Sequence, residues 1–349
     1  MRVGCNMKDV FKQLPDALLP WYRENKRDLP WREDRDPYHI WLSEIMLQQT
    51  RVEAVRGYYA RFLEALPTVG DLAKADDEVL HKLWEGLGYY SRVRNLKKAA
   101  NVIISTHNGT FPKDHKAVLA LPGIGPYTAG AICSIAFDKP TPAVDGNVFR
   151  VIARLTDDDR PVDTPKFKAE TEKNLREIYP DDAGDFTQAL MELGATLCGP
   201  NRPPVCEKCP CQAFCKGKYR ATELPVRLPK RGRRGEERTV FIVTCGDRMA
   251  LTKRPDKGLL AGLWQFPDVP EALSGQAAAD RAGELGFSVN NLLYEVEKSH
   301  IFTHITWKMR GIYLEAATCC EGYTWLTREE IKATAALPTA YRQFYEDNI

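Results

Sequence analysis

Apolar residues recur at helical spacing through the first two thirds of the chain. Side chains at positions i, i+3, i+4 and i+7 share one face of a helix, so this spacing predicts a helix wherever it persists. Gly and Pro residues, among them Pro67, Gly70, Gly109 and Pro112, interrupt it. We therefore expect a mainly helical domain over residues 8–220. The predicted helices are 8–24, 38–65, 71–84, 92–106, 114–121, 126–137, 147–155, 165–178 and 184–198.

The pattern changes near residue 239, where β-branched and aromatic residues form short strand-like runs. A second domain of the α+β class is expected over residues 239–349. Its predicted strands are 239–245, 249–254, 263–267, 291–298 and 304–316, with helices near 273–285 and 327–347. Between the domains, residues 221–238 are rich in Arg and predict an extended basic linker. Such a run is usually solvated, but this one could also follow a phosphate backbone.

The composition is that of a globular protein, with 44% hydrophobic and 28% charged residues in 349. The net charge is only +2, so a nucleic-acid surface must come from local segregation of charge. No apolar run approaches the length of a membrane span, and the first residues lack the order of a signal peptide. We expect no membrane partner, no targeting segment, and a location in the bacterial cytoplasm or a eukaryotic nucleus.

A glycine-rich connector joins two apolar helical runs in residues 114–137. Gly123 and Gly125 lack a Cβ, which lets backbone amides approach a ligand closely. Pro126 suits the first position of the second helix, whose N-terminus would present unpaired N–H groups to an anion. The connector therefore predicts a site for the DNA backbone at Gly123 and Gly125. An ordinary helix–turn–helix corner is the alternative interpretation.

Glu44 lies in the apolar run WLSEIMLQQTRV of residues 41–52. On a helix it shares a face with Ile40 and Leu47, which predicts burial. Burial raises the pKa of a carboxyl group and prepares it as a general acid. Taken alone, Glu44 could equally be a solvated glutamate. Residues 48–51 (QQTR) continue the predicted helix and could contact base edges and phosphates.

Asp145 follows a Pro-rich bend and is a natural N-cap for the helix predicted after it. Backbone N–H groups that bond to a capping carboxylate keep it ionised. An ionised aspartate beside a protonated glutamate is the pair that cleavage of a glycosidic bond requires. One group protonates the leaving group while the other faces the oxocarbenium charge.

Five of the ten cysteines lie between Cys198 and Cys215. Four thiolates in one short loop can enclose a single metal site. Zinc ribbons usually carry two Cys-x-x-Cys pairs, whereas only one pair, flanked by single cysteines, is present here. This asymmetry favours an iron–sulfur cluster over zinc. The expected ligands are Cys198, Cys206, Cys209 and Cys215, with Cys211 left over.

Together these motifs resemble the helix–hairpin–helix DNA glycosylase superfamily over residues 28–220, and within it the MutY-type adenine DNA glycosylases. The supporting motifs are DLPWR (28–32), SEIMLQQTRV (43–52), GLGYYSRVRNL (86–96), LPGIGPYTAG (121–130), VDGNV (144–148) and ALMELGA (189–195). The resemblance implies an enzyme with one 4Fe-4S cluster that excises adenine mispaired with 8-oxoguanine, or guanine, from double-stranded DNA. Family members usually have one residue fewer between the first two cysteines of the loop. We expect the protein to act as a monomer.

The same resemblance implies roles for individual residues. Glu44 would protonate adenine N7, and Asp145 would stabilise the sugar cation, assisted by Tyr127 and Asn147. Gln49 and Tyr89 would probe the duplex near 8-oxoguanine, with Tyr89 as a wedge between bases. The residues expected to line the pocket for the extruded adenine are Arg27, Trp31, Arg32 and Glu192.

Tyr127 separates two subclasses of this superfamily. Endonuclease III-like relatives carry a lysine just after the hairpin, which attacks the sugar and cuts the strand through a Schiff base. A tyrosine hydroxyl cannot form that imine. The resemblance therefore implies a monofunctional glycosylase.

The second domain resembles the Nudix-like C-terminal domain of the same family, most clearly in LLAGLWQFP (259–267). Nudix hydrolases hold metal ions on a glutamate-rich helix, and the corresponding stretch 278–287 retains only Glu284 in the relevant part. We therefore expect no metal-dependent nucleotide hydrolysis. The resemblance instead implies reading of 8-oxoguanine by Phe302, Thr303 and His304, where relatives commonly have Phe-Ser-His.

Three other functions compete with this interpretation. Tyr127 opposes a glycosylase that also cuts the strand. The joint presence of Glu44 and Asp145 opposes a non-catalytic lesion-binding module. The incomplete acidic helix opposes a nucleotide pyrophosphohydrolase.

Overall fold

The structure, a computed structural model, describes residues 7–229 and 232–346. Contacts divide the chain into two units. Unit 1 comprises the described residues of Met1–Lys74 and Asn95–Pro229, and unit 2 those of Ala75–Arg94 and Lys230–Ile349. Lys230 and Arg231 of the predicted basic linker lie outside the described residues. The chain thus leaves unit 1 at residue 75, returns to it at residue 95, and enters unit 2 again after Pro229.

Helices dominate the described part of the chain up to residue 196. They are α1 (Met7–Lys12), α2 (Leu14–Asn25), α3 (Pro37–Leu47), α4 (Val52–Ala65), α5 (Val69–Lys74), α6 (Asp77–Leu83), α7 (Ser91–Thr106), α8 (His115–Leu119), α9 (Pro126–Phe137), α10 (Gly146–Thr156), α11 (Pro165–Arg176) and α12 (Ala183–Thr196). A core beneath α1, α2 and α10–α12 includes Leu14, Phe149, Phe186 and Leu190, each at most 7% exposed. The predicted mainly helical class is confirmed.

The predicted continuous helix 38–65 is wrong, because the chain breaks it at residues 48–51. Gln49 has φ +60°, in the left-handed region that a right-handed helix cannot include. Arg51 is extended and precedes the first residue of α4. The predicted helices 8–24 and 71–84 are each divided as well, the first at Gln13 and the second after Lys74.

Unit 2 contains a mixed sheet with three helices that follow its first strands in the chain. Its elements are β1 (Arg234–Cys245), β2 (Arg248–Lys253), β3 (Trp264–Gln265), β4 (Asp268–Val269), α13 (Gly275–Glu284), β5 (Val289–Ile301), β6 (Ile305–Ala316), β7 (Thr324–Thr327), α14 (Arg328–Thr334) and α15 (Thr339–Tyr345). The order across the sheet is β3-β2-β1-β6-β5, with β4 on β1 and β7 on β2. The predicted α+β class is confirmed.

Successive buried side chains of β1 belong to two different apolar cores, one on each face of the sheet. Val240 and Ile242 pack in one core, with Trp307 and Phe344, and Phe241 and Val243 pack in the other. Successive side chains of a strand point to opposite faces, so both faces of this strand are covered. β1 begins at Arg234, five residues before the predicted strand, and β7 has no counterpart among the predicted strands.

None of the helices in the described ranges combines the length and the apolarity that crossing a bilayer requires.

Candidate active site

A cavity of about 780 Å³ in unit 1 brings together most of the predicted site residues of that unit. It is bordered by α3, the break at residues 48–51, the first turn of α9, the start of α10, and α12. The predicted residues on its wall are Arg27, Trp31, Arg32, Glu44, Gln49, Tyr127, Asp145, Asn147 and Glu192. Residues separated by long stretches of sequence thus share one space large enough for a nucleobase.

Glu44 lies on α3, and only 6% of the residue is exposed to solvent. The helix begins with Pro37, and Asp36 caps it by accepting a hydrogen bond from the Tyr38 amide. Burial raises the pKa of Glu44 to about 7, and the nearby Asp145 carboxylate acts in the same direction. Tyr127 Oη donates to Glu44 Oε2 over 2.6 Å and partly offsets that rise. A carboxyl group that is protonated near neutral pH suits a general acid.

Asp145 is the N-cap of α10 and has a different environment. Its Oδ1 accepts from the amides of Asn147 (2.9 Å) and Val148 (2.8 Å). Its Oδ2 accepts from the Asn147 side-chain amide over 2.7 Å. Three N–H donors thus fix the position of this carboxyl group. The two carboxyl groups of the cavity have different surroundings, since Glu44 accepts from one hydroxyl and Asp145 accepts from three N–H groups.

Arg150 and Arg154 were missed by the sequence analysis, although both are only 3% exposed. Arg150 Nη2 donates to Asn147 Oδ1 over 3.0 Å, and its Nε donates to the Cys198 carbonyl over 2.9 Å. Arg154 donates to the same carbonyl and to Cys198 Sγ, at 3.0 and 3.3 Å. The sequence did contain a signal for these two residues, because they lie one helical turn apart in the apolar run VFRVIARL. A charged residue in such a run is expected to be buried, and a buried charge is rarely without a partner.

Glu192 anchors the other side of the cavity from α12, where it is fully buried. Arg27 makes a two-point contact with it, Nε to Oε1 at 2.6 Å and Nη2 to Oε2 at 3.0 Å. Arg32 Nη2 reaches Oε2 at 2.7 Å. The two guanidinium groups lower the pKa of Glu192 against the opposing effect of burial. Trp31 lies between these arginines in sequence and packs edge-on against Tyr59 at 5.5 Å between ring centroids.

Only one of the two connector glycines occupies a position that requires glycine. Gly123 has φ +76°, and a Cβ there would lie 2.6 Å from the Asn95 Cβ. Gly125 has φ −96° and open space where a Cβ would be. Pro126 is the first residue of α9, and Tyr127 follows in the same turn. The connector thus places a helix N-terminus and the tyrosine partner of Glu44 next to each other.

The remaining predicted site residues lie in unit 2 and line a cavity of about 540 Å³ there. Phe302, Thr303 and His304 form the turn between β5 and β6. The hydroxyl groups of Tyr89 and Thr303 lie 3.0 Å apart, within hydrogen-bond distance. Tyr89 has φ +47° and is 47% exposed. The structure therefore divides the predicted site residues between two cavities, one in each unit.

The four predicted ligand cysteines line a single small apolar pocket beside α10 and α12. Cys211 is different, because it is fully buried in the core of unit 1 and is absent from the pocket wall. Within residues 7–229 and 232–346, no three His, Cys, Asp or Glu side chains converge closely enough for one metal ion. A cubane cluster is larger than one ion and uses four thiolates, so this donor set fits a cluster better than a single zinc ion.

Profiles of two known families match this chain. A profile described as the HhH-GPD superfamily of base excision DNA repair proteins matches residues 42–180, and one for the NUDIX domain matches residues 239–347. Adenine DNA glycosylase of Rattus norvegicus is 37% identical over 94% of this chain and 76% of its own length. The Homo sapiens enzyme of the same name is 35% identical over 94% of this chain and 72% of its own length.

Two solved structures are similar to the helical part. A thermostable thymine-DNA glycosylase is 31% identical, with a TM-score of 0.54 over 61% of this chain and 97% of that one. An endonuclease III trapped in a covalent intermediate with DNA is 26% identical, with a TM-score of 0.52 over 61% of this chain and 97% of that one.

Proposed function

The chain belongs to the adenine DNA glycosylase family, and on that premise we propose that it hydrolyses the N-glycosidic bond of adenine mispaired with 8-oxoguanine, or guanine, in double-stranded DNA. Removal of adenine in base excision repair is the activity of the family. The observation that carries the finer proposal is the pair of carboxyl groups in one cavity, Glu44 with a pKa raised to about 7 and Asp145 with three N–H donors. The glycosidic bond cannot be reached inside a stacked duplex, so the adenine is extruded into this cavity.

Glu44 acts as the general acid. Its buried carboxyl group carries a proton for a substantial fraction of the time at neutral pH and transfers it to adenine N7 as the bond to the sugar breaks. The Tyr127 hydroxyl occupies Oε2 as a donor, which leaves Oε1 to hold the proton that faces the base. Tyr127 thereby orients the acid. As a phenol it cannot form a Schiff base with the sugar, so the product is an abasic site in an intact strand.

Asp145 stabilises the oxocarbenium-like sugar. Its charge is held by the amides of the first turn of α10 and by the Asn147 side chain, so no reorganisation is needed when positive charge develops. Asn147 is in turn oriented by Arg150. Arg27, Arg32 and Glu192 form a hydrogen-bonded network of two guanidinium groups and one carboxylate on the cavity wall, and with Trp31 they recognise the purine.

Unit 2 recognises the base opposite the adenine. Phe302, Thr303 and His304 present an aromatic ring, a hydroxyl and an imidazole at the turn between β5 and β6. Tyr89 inserts between bases, and Gln49 contacts the duplex from the unit 1 cavity. Glu284 is the only glutamate that residues 278–287 retain, and it pairs with Arg281. The lack of the other metal-binding glutamates favours a binding role for this unit over a hydrolytic one.

Cys198, Cys206, Cys209 and Cys215 would hold one 4Fe-4S cluster. Such a cluster would link the loop after α12 to the start of the segment that leads out of unit 1. It would supply structural rigidity to a loop that carries Arg202, Lys208 and Lys216. These side chains would supply positive charge to the DNA-binding surface, and the amides at Gly123 and Gly125 would supply neutral donors to the same surface.

The test uses a Glu44→Gln variant on a duplex with adenine opposite 8-oxoguanine. The amide keeps the size of the side chain and an acceptor for Tyr127, but it has no acidic proton to give. We expect the wild-type protein to release adenine and leave a site that breaks only in alkali, and the variant to bind the duplex while its excision rate falls at least about a thousandfold. Glu53→Gln, an exposed change on α4, serves as the matched control. Full activity of the Glu44→Gln variant would refute the assignment of the acid.

A further inference from the structure

Residues 224–228, which follow the cysteine loop, are fixed against unit 1 by hydrogen bonds. The buried Arg154 donates from Nε to the Leu224 carbonyl over 2.9 Å. The Val162 amide donates to the Val226 carbonyl over 3.1 Å, and the Leu228 amide donates to Asp163 Oδ2 over 3.2 Å. The backbone on both sides of Arg227 is therefore held in place.

The Arg227 guanidinium lies beside the first residue of α10. A Cβ added to Gly146 would be 3.8 Å from Arg227 Nη2, and no closer atom would meet it. Gly146 directly follows Asp145, whose carboxylate faces the cavity. The fold of unit 1 thus places a guanidinium beside the residue that follows Asp145, whose carboxylate is proposed to face the sugar.

Nothing in the described part of the protein neutralises this guanidinium. Arg227 is exposed and makes no ion pair among residues 7–229 and 232–346. Arg150 is a second cation in the first half of α10. Arg150 itself donates to neutral oxygens, namely the carbonyls of Gly194 and Cys198 and the amide oxygen of Asn147. Two guanidinium groups and one carboxylate leave an excess of positive charge at this end of α10.

We propose that Arg227 binds a backbone phosphate adjacent to the nucleotide whose base enters the unit 1 cavity. This inference rests on the proposed function, because it requires the sugar of the extruded deoxyadenosine to lie at Asp145. The phosphates nearest that sugar are only a few bonds from the carbon that carries the base. A planar guanidinium can donate two parallel N–H bonds to two phosphate oxygens, which fixes the register of the strand as well as its charge.

The first experiment measures the affinity of the full-length protein for a duplex that carries a tetrahydrofuran abasic analogue opposite 8-oxoguanine, by fluorescence anisotropy at several salt concentrations. Loss of one phosphate contact lowers the slope of log K against log salt by about 0.9. We expect this change in Arg227→Gln, with affinity about tenfold weaker at moderate salt. Arg227→Lys should keep most of the slope. Arg176→Gln removes the same charge from α11, which contributes nothing to the cavity wall, and should leave both quantities unchanged.

A second experiment identifies the partner of Arg227 directly. A neutral methylphosphonate replaces one phosphate at a time on the two sides of the analogue. At one of the two positions, the replacement should weaken binding by the wild-type protein but cause no further loss in Arg227→Gln. Equal losses in both proteins at both positions, or an unchanged salt slope, would overturn the proposal. Because the Arg227 side chain forms no hydrogen bond or ion pair with the residues that the structure describes, Arg227→Gln should keep the Tm of the wild-type protein.

The two proposals can fail separately. Adenine excision by the wild-type protein tests the proposed function and does not involve the analogue. Suppose that the wild-type protein releases no adenine, but Arg227→Gln shows the reduced salt slope and no longer responds to the methylphosphonate. This result would support the phosphate contact and reject the proposed substrate. An unchanged slope in a protein that does release adenine would reject the role of Arg227 and leave the glycosylase function intact.

Discussion

At the scale of single residues, the candidate site depends on two carboxyl groups with different surroundings. Glu44 is buried and has one hydroxyl donor, which leaves its pKa at about 7. Asp145 has three N–H donors from the first turn of the helix that it caps. Neither property follows from the residue type alone. Each arises from the neighbours that the fold supplies.

The pKa of Glu44 predicts how the excision rate depends on pH. The protonated fraction of Glu44 falls as the pH rises through about 7, so the single-turnover rate should fall above that pH, by up to about tenfold per pH unit. Tyr127→Phe removes a hydrogen bond that lowers the Glu44 pKa, and the alkaline limb should move to higher pH. The measurement is single-turnover excision between about pH 5 and 9. A rate that does not change across this range would assign the proton to another group.

The same shift predicts a pH-dependent cost of Glu44 to stability. Folding raises the pKa of Glu44 from 4.5 to about 7, which stabilises the folded protein at pH values below 4.5. This stabilisation is lost as the pH rises through about 7. The loss above about pH 8 is at most about 3 kcal/mol. Glu44→Gln should therefore raise the Tm at pH 8 and change it little at pH 4.5. A Tm difference that is the same at both pH values would contradict the raised pKa.

At the scale of secondary-structure elements, the site is built from the ends of helices. α3 ends at Leu47, and the residues of the break after it line the cavity. α9 begins at Pro126 with Tyr127 in its first turn, and α10 begins one residue after Asp145. Helix ends carry unpaired backbone groups and sharp changes of direction. They therefore bring polar side chains together more readily than helix centres do.

The two glycines of the connector should respond differently to substitution. Gly123→Ala would force a left-handed backbone on a residue with a Cβ and drive that atom against Asn95, so we expect the Tm to fall by roughly 5 °C and DNA affinity to fall with it. Gly125→Ala has an ordinary φ and free space, and it should fold like the wild-type protein. Thermal denaturation of both variants tests this contrast. Equal losses would mean that the two positions are equivalent.

The cysteine loop makes a prediction about iron. Replacing any one of Cys198, Cys206, Cys209 or Cys215 by Ser should reduce the iron content and the visible absorbance of the purified protein, because all four line one pocket. Cys211→Ala should keep both, since Cys211 is fully buried and is absent from the wall of that pocket. Metal analysis also distinguishes zinc from iron. Full iron content in a Cys206→Ser variant would remove Cys206 from the ligand set.

Local sequence patterns predicted the class of both parts and the positions of most helices and strands, because apolar spacing records which face is buried. The break at residues 48–51 was not predictable in this way. QQTR contains no Gly or Pro, and Gln49 adopts its left-handed conformation only in the folded chain. The buried carboxyl group of Glu44 was expected from its apolar neighbours. Its hydrogen bond to Tyr127, and the clustering of Arg150 with Cys198, depend on contacts between distant residues that no local pattern records.

At the scale of the whole molecule, the described residues form two units, each with its own cavity and its own set of candidate contacts. The cavity in unit 1 contains groups suited to proton transfer and charge stabilisation. The cavity in unit 2 contains aromatic, hydroxyl and imidazole groups suited to recognising a base. This division predicts that substitutions in the two units affect different kinetic parameters.

Variants of the two cavities should separate chemistry from selectivity. Tyr127→Phe should lower the excision rate to a similar extent for adenine opposite 8-oxoguanine and opposite guanine, because it alters only the acid. Thr303→Ala removes the hydroxyl that lies 3.0 Å from that of Tyr89, and it should reduce the preference for 8-oxoguanine several-fold. The ratio of kcat/KM for the two duplexes is the measurement, with Thr306→Ala on β6 as the control. A selectivity unchanged in Thr303→Ala would place the recognition of the opposite base elsewhere.

Unit 2 is formed from two separate segments of the chain, and this has a consequence for truncating mutations in the gene. Residues 75–94 are translated with unit 1 but pack in unit 2, and they carry Leu80, Trp84, Leu87 and Tyr90, each at most 6% exposed. A nonsense mutation in the codons for residues 229–232 would remove α14, which contacts α6, and with it the backbone groups that bond to the side chains of Lys82 and Glu85. The shortened product would then hold this apolar segment less firmly, so such an allele loses more than the proposed recognition of the opposite base.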